Sequence, residues 1–345
     1  GTSAGSQEGT EEGSTVVRLQ VENAPITPVV ARYLERGIEA AIAASAQAVV
    51  VELDTPGGLM ESTQQIVRTV VQSPVPIVVY VYPSGGRAAS AGLFITLSAH
   101  VAAMAPGTHI GAAHPVSIGG GSPGSPGEGP PDTTTAPSDT TARPSPARPQ
   151  SVMGEKVLND AVAWARSLAE MRGRNADWSA EAVTESSSIT GTRAAEIGVV
   201  DLEAPNLNAL LRAVDGRDVI TVRDTVELRT TGATIQDVPM WWGEQLLGAI
   251  SNPNVAFLLL MFGFYGLLFE FYTGGWGVGG TVGAICLVLA GFGLSVLPVN
   301  YAGLALLVLG LGLLVAEAFV TSFGALTVGG GLCILFGGLM LVDAP

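Results

Sequence analysis

AVVVELDTPGG, residues 48–58, decides the fold. AVVVEL (48–53) is apolar except for Glu52 and rich in β-branched residues. It reads as a strand buried on both faces, which is the habit of a parallel sheet. The run ends in a turn with two glycines, and a helix is predicted from about Leu59 to Val71. Working outward, VVRLQV (16–21) reads as a preceding strand. Between the two strands, residues 27–44 place Val30, Tyr33, Leu34, Ile38, Ala41 and Ile42 on one helical face. PIVVYVY (76–82) is a third strand, and a further helix is predicted to begin near Arg87 and end before His100. Strands alternating with helices predict a mostly parallel α/β sheet.

Beyond this core, residues 151–173 regain helical periodicity through Val157, Leu158, Ala161, Val162, Trp164, Ala165 and Leu168. A short strand near 198–202, a helix near 206–213 and a hairpin near 218–229 complete the α/β part, expected to span 15–235. Residues 1–14 are small and polar and are expected to form a flexible leader. Residues 117–150 are rich in Gly, Ser, Pro and Thr, and are predicted to be a disordered insertion, because such a segment buries too little apolar surface to offset its ordering entropy.

The 345 residues are 48% hydrophobic and only 13% charged, against roughly 25% charged in an ordinary soluble domain. The mean hydropathy is +0.43. These values exclude a simple soluble enzyme and a disordered chain. A formal charge of -14 repels phosphate and argues against a nucleic-acid partner. Cys286 and Cys333 lie in apolar runs and read as small hydrophobes, so no disulfide framework is expected. The chain starts at Gly1 rather than Met, as a processed or engineered form would.

No Lys or Arg follows Arg229, and the apolar excess is concentrated in that tail. MWWGEQLLGAI (240–250) is amphipathic, with Trp241 and Trp242 as interfacial anchors. Four apolar stretches follow at about 255–272, 278–297, 301–319 and 323–342, each long enough for a hydrocarbon core of roughly 30 Å. Residues 240–345 are therefore expected to form a membrane domain of an interfacial helix and four transmembrane helices. Their many glycines allow close helix approach. Glu270 and Glu317 are expected at the interface, reaching water. Without basic residues the loops carry no signal of orientation.

Three features of the α/β part suggest chemistry. DTPGG (54–58) follows a strand and offers bare backbone N–H groups suited to an oxyanion, or forms an ordinary strand-to-helix turn. GGRAASAG (85–92) places Ser90 among small residues at a predicted helix start, where the helix dipole favours a developing anion. Close helix packing is the other reading. Lys156, one of very few lysines, opens the helix after the insertion. A lysine can activate a serine where burial lowers its pKa. On spacing alone, a solvated helix-start lysine is the better reading. No His/Cys/Asp/Glu cluster has metal-ligand spacing, and no cofactor is expected.

DTPGG, GGRAASAG, MAPGTHIGAAHP (104–115) and SLAEMRGRN (167–175), in that order, resemble the membrane-bound NfeD proteins. Their protease domain is similar to ClpP and to signal peptide peptidase SppA. The resemblance covers roughly 15–215 and the membrane segments. It implies an α/β ClpP/crotonase-like soluble domain followed by an all-α transmembrane helical domain, a Ser–Lys dyad, and dimers or larger homo-oligomers. By motif position, Ser90 would be the nucleophile and Lys156 the general base. The backbone of Gly57, Gly58 and Ala91 would form the oxyanion hole. Arg166 lies closest to the motif but a guanidinium stays protonated. His114, 24 residues after Ser90, is the alternative base of a possible triad. His100 and His109 read as structural. Longer members carry an OB-like barrel after the membrane helices, whereas this sequence stops at Pro345.

The implied function is a multi-pass membrane serine endopeptidase, its protease domain extracytoplasmic. It would cleave apolar segments of stomatin-type (SPFH) proteins at the lipid membrane. The alternative is a membrane scaffold that organises SPFH proteins with little proteolysis. A crotonase-like acyl-CoA enzyme is a third possibility, disfavoured by the absence of a basic phosphate-binding patch. The long insertion between Ser90 and Lys156 suggests a dyad assembled only when substrate or partner arrives.

Overall fold

The computed structural model describes residues 14–115, 152–273, 277–295, 301–317 and 324–341. The predicted insertion and the predicted leader, apart from Ser14, lie outside these residues. Contacts divide the chain into two compact units, Gly1–Pro115 with Met153–Gly248, and Val116–Val152 with Ala249–Pro345.

The first unit is built on a six-stranded sheet in the order β11-β1-β2-β3-β5-β8. These strands are β1 (Thr15–Val21), β2 (Ala48–Leu53), β3 (Ile77–Val81), β5 (Val101–Met104), β8 (Leu202–Glu203) and β11 (Thr234–Asp237), and every pairing is parallel. All six residues of β2 are buried. Val49, Val51 and Leu53 face one layer with α1 (Pro28–Ala43), α2 (Met60–Val71), α3 (Ala91–Ser98) and α4 (Val152–Met171). Ala48 and Val50 face the other, against Leu210, Leu211 and Val214 of α7 (Leu207–Val214). The period-2 alternation thus places each of the five apolar β2 side chains in one of two cores, while the buried Glu52 accepts Gln20 Nε2–H at 3.0 Å.

A small second sheet, β4 (Arg87–Ala89), β6 (His109–Gly111) and β7 (Ser188–Thr190), lies at the end where β2 and β3 finish. The predicted helix start near Arg87 is corrected here. Residues 87–89 pair in parallel with 109–111, Ala88 also bridges Thr55, and the helix begins only at Ala91. α5 (Ala176–Thr184), α6 (Gly191–Glu196) and the β9 (Asp218–Ile220)–β10 (Thr225–Glu227) hairpin complete the unit. α8 (Trp242–Ile250) is tied back by Arg36, whose guanidinium grips the Glu244 carboxylate at 2.7 Å. Trp241 and Trp242 are exposed.

The second unit contains α9 (Pro253–Thr273), α10 (Val278–Ser295), α11 (Tyr301–Glu317) and α12 (Ala325–Leu341). Among the described residues no single helix is long and apolar enough to cross a membrane.

These four helices form two hairpins with the same plan. A Cβ on Gly263 would lie 2.9 Å from the Gly283 carbonyl oxygen, and one on Gly283 would lie 2.9 Å from that of Gly263. Gly310 and Gly330 repeat the reciprocal contact at 2.7 and 2.8 Å. Glu270 accepts the backbone N–H of Gly277 and, at 3.1 Å, that of Gly280. Glu317 accepts those of Gly324 at 2.8 Å and Thr327 at 3.0 Å. Glycines, glutamates and the half-buried Cys286 and Cys333 all correspond at one offset of 47 residues. Each glutamate, at the end of one helix, supplies acceptors to the unpaired N–H groups that open the next. The glutamates therefore do more than reach for water.

Candidate active site

Two sequence motifs are laced together at the sheet end. Asp54 Oδ1 accepts the Arg87 N–H at 3.0 Å. The Thr55 N–H donates to the Arg87 carbonyl at 2.8 Å, and the Ala89 N–H donates to the Thr55 carbonyl at 3.1 Å. DTPGG is thereby held alongside GGRAASAG. Gly57 occupies a φ of +121°, and a Cβ there would lie 2.8 Å from Ser90 Cβ. Only glycine allows both that conformation and that approach.

Ser90 sits between β4 and α3 with φ 51° and ψ −108°. A non-glycine residue held there stores about 1–3 kcal/mol of strain, which persists only where the surroundings over-determine it. The Ser90 N–H donates to the Gly111 carbonyl at 2.9 Å, and Leu93 closes the first turn on the Ser90 carbonyl at 3.0 Å. The bend lifts the hydroxyl off the strand at the start of α3. Among the described residues Ser90 Oγ has no hydrogen-bond partner.

The three predicted oxyanion donors differ. The Gly57 N–H donates to Thr55 Oγ1 at 3.1 Å, so it is already engaged. The Gly58 N–H and the Ala91 N–H, the first of α3, have no acceptor among the described residues. Thr55 was not singled out from sequence, although a threonine two residues before a turn glycine is a familiar local acceptor.

α4 carries Lys156 near its start, with the side chain exposed. Lys156 lines a cavity of about 320 Å³ with Met60, Val157, Asp160, Ala161 and Trp164. No hydrogen bond joins Lys156 to Ser90 among the described residues. Lys156 is the only lysine of the 345 residues, stronger than the sequence reading allowed. Further along α4, Trp164 stacks on Phe94 of α3, with ring centroids 4.4 Å apart. His114 is half-buried and its Nδ1 lies 3.1 Å from the Val183 carbonyl. That carbonyl can only accept, so Nδ1 carries the proton and Nε2 is the free basic nitrogen. His109 is exposed, and the buried His100 accepts the Ile77 N–H. No cluster of metal-ligating side chains occurs among the described residues.

Residues 16–126 match the family model of the NfeD1b N-terminal domain, and 254–345 match that of the NfeD integral membrane domain. The chain is 36% identical over 318 residues to the membrane-bound protease PH1510 of Pyrococcus horikoshii, covering 92% of this chain and 66% of that protein. It is 26% identical over 331 residues to the membrane protein NfeD1b of Bacillus subtilis, covering 94% and 67%. The chain thus spans about two thirds of the length of these relatives. One solved structure of the 1510-N membrane-bound stomatin-specific protease, a lysine-to-alanine mutant with a substrate peptide, superposes with a TM-score of 0.57. It has 32% identity and covers 69% of this chain and 98% of that one. Another, described as specific for a stomatin homolog, gives a TM-score of 0.53 at 29% identity, covering 69% and 100%. The fold is an α/β domain like that of the 1510-N protease, followed by a helical NfeD membrane domain.

Proposed function

This chain belongs to the NfeD family, and on that premise we propose that it is a membrane-anchored serine endopeptidase. The observation that carries the proposal is Ser90 itself. It is a strained serine at a helix N-terminus, beside two backbone N–H groups that have no acceptor among the described residues. Such a bend presents a nucleophile and its oxyanion donors to one carbonyl.

In this reading Ser90 Oγ attacks the scissile carbonyl and Lys156 Nζ takes its proton. The tetrahedral oxyanion faces the N–H groups of Ala91 and Gly58. Lys156 returns the proton to the leaving amine, which departs and leaves an ester on Ser90. Water deprotonated by Lys156 then releases the acid. Gly57 contributes through its lack of a side chain rather than as a donor. An apolar segment filling the cavity beside Met60, Val157 and Trp164 would strip water from Lys156 as it binds, coupling substrate arrival to dyad assembly.

The substrate class we propose is an apolar segment of a stomatin-type (SPFH) membrane protein. Two of the solved relatives are described as acting on such proteins. We further propose that the four helices of the second unit form a multi-pass membrane domain, that the protease domain is extracytoplasmic and that the chain works as a homo-oligomer. The division into a leader, an α/β domain over 15–235 and a membrane domain over 240–345 is part of the same proposal.

One observation favours a second reading. Lys156 is exposed and unbonded to Ser90, as it would be in a scaffold that binds SPFH proteins without cutting them. Co-expression with an SPFH partner, followed by mass analysis, separates the readings. The protease predicts partner fragments that disappear with Ser90→Ala and Lys156→Ala and persist with His114→Ala. An intact, co-purifying partner with the unmutated chain supports the scaffold.

A further inference from the structure

The far end of the nucleophile's helix is as closely held as Ser90. α3 has eight residues, all buried. The last four carbonyls of a helix lack intrahelical donors and must be satisfied where no water reaches. Here all four are. The Ile95 carbonyl accepts Ser98 Oγ–H at 2.8 Å. Those of Thr96 and Leu97 accept Arg174 Nη1–H at 3.2 and 2.6 Å. That of Ser98 accepts Arg172 Nε–H at 3.0 Å.

Arg174 is 7% exposed, an unusual place for a guanidinium unless it is paired. Its Nη2 donates to Asp201 Oδ2 at 2.7 Å. The same carboxylate accepts the Ala102 N–H of β5 at 2.7 Å and Arg217 at 2.9 Å. A chain of charged contacts thus runs from the central sheet through Asp201 and Arg174 to the C-terminus of α3. Two cations at that end also complement the helix dipole. Both arginines lie in MRGRN, at the end of α4, a stretch that the catalytic assignment leaves without a role.

We propose that Arg174, assisted by Arg172, is a positioning residue for Ser90. It clamps the C-terminal end of α3, so that the helix cannot slide to relax the strained turn at its other end. The catalytic part of this inference rests on the proposed serine-protease reading. The mechanical part, that one end of α3 holds the other, does not.

The test compares Arg174→Gln and Arg174→Lys with the unmutated full-length protein in detergent. Amide hydrogen exchange is read along 90–102, and the acylation of Ser90 by a fluorophosphonate is followed. Arg174→Gln is expected to speed exchange at 90–93 at least tenfold and to lower the maximal acylation rate at least tenfold. Probe affinity should stay within twofold, and Arg174→Lys should recover part of both losses. Faster exchange confined to 96–102, with an unchanged acylation rate, would overturn the inference and leave Arg174 a purely structural cap. If the unmutated protein is not acylated, the protease reading fails, and exchange at 90–93 still decides the clamp. Should Arg174→Gln not fold, Arg172→Gln, which removes one bond, supplies a weaker version of both readouts.

Discussion

Phe94 of α3 and Trp164 of α4 stack with ring centroids 4.4 Å apart and planes inclined by 17°. Four residues later on α3 and eight later along the α4 segment, the Ser98 carbonyl meets Arg172. The same step taken backwards arrives at Ser90 and Lys156. The two contacts follow the same order along both segments, so in the proposed dyad the start of α4 would lie on the Ser90 side of the Phe94–Trp164 stack. Trp164→Ala should destabilise the α/β unit by about 2–4 kcal/mol, as loss of a large packed aromatic does. It should also slow acylation of Ser90, whereas Trp164→Phe keeps a stacking ring and loses less of both. Thermal unfolding and probe labelling read the two effects separately.

Gly57→Ala is expected to abolish turnover. The new Cβ would lie 2.8 Å from Ser90 Cβ, at a backbone angle that costs a non-glycine residue about 1–3 kcal/mol. Thr55→Val is the informative companion. It frees the Gly57 N–H and removes one hydrogen bond pair, a loss of about 1 kcal/mol, while leaving the space at Ser90 open. Steady-state rates on any cleaved peptide check both. A Gly57→Ala protein as active as the original would remove Gly57 from the site.

The sheet was legible because AVVVEL and IVVYV are apolar on both faces, a pattern that little besides a buried strand explains. β5, VAAM, escaped because alanine carries a weak strand signal. β4 escaped because its three residues are strands only through pairing with 109–111 and the bridge to Thr55, contacts that no local window contains. The order of Ser90 and the glycine loop was legible from the motifs. That Thr55 occupies the Gly57 amide was not, because a side-chain rotamer decides it. The repeat of Glu270 and Glu317 was present in the sequence but was masked by the uniform apolar composition around it.

His100 has a defined pH signature. Burial, with the nearby Arg172 and Arg174 cations, pushes its pKa down to about 3. The unfolded chain takes up a proton near pH 6.5, whereas the folded chain does not until near 3. Stability is therefore complete above about pH 6.5 and falls by up to ~1.4 kcal/mol per pH unit as the pH drops toward 3. Asp201 adds acid sensitivity lower down. Burial works to raise its pKa, but Arg174 and the Ala102 N–H overcome it and hold the carboxyl below its usual range. His100→Asn should flatten the stability–pH curve between 6.5 and 4.5 in denaturant titrations. An unchanged slope would exclude His100 as its source.

The duplicated hairpins predict equal responses. Glu270→Ala and Glu317→Ala each remove two acceptors from a helix N-terminus and should each cost about 1–2 kcal/mol. Thermal unfolding in detergent should show similar losses that add in the double variant. A large loss from one and none from the other would mean that the two hairpins are not equivalent in function.

The central claim is that Ser90 is a nucleophile served by Lys156. The most direct measurement is the rate at which a fluorophosphonate adds to Ser90 in the full-length protein, followed by intact mass and located by peptide mapping. The unmutated chain, Lys156→Ala and His114→Ala are compared, with Ser90→Ala as the blank. A single adduct on Ser90, slowed about 100-fold or more by Lys156→Ala and little by His114→Ala, is the predicted result, consistent with the usual share of general-base catalysis. Acylation that survives Lys156→Ala and is lost with His114→Ala would contradict the account and move the base to His114.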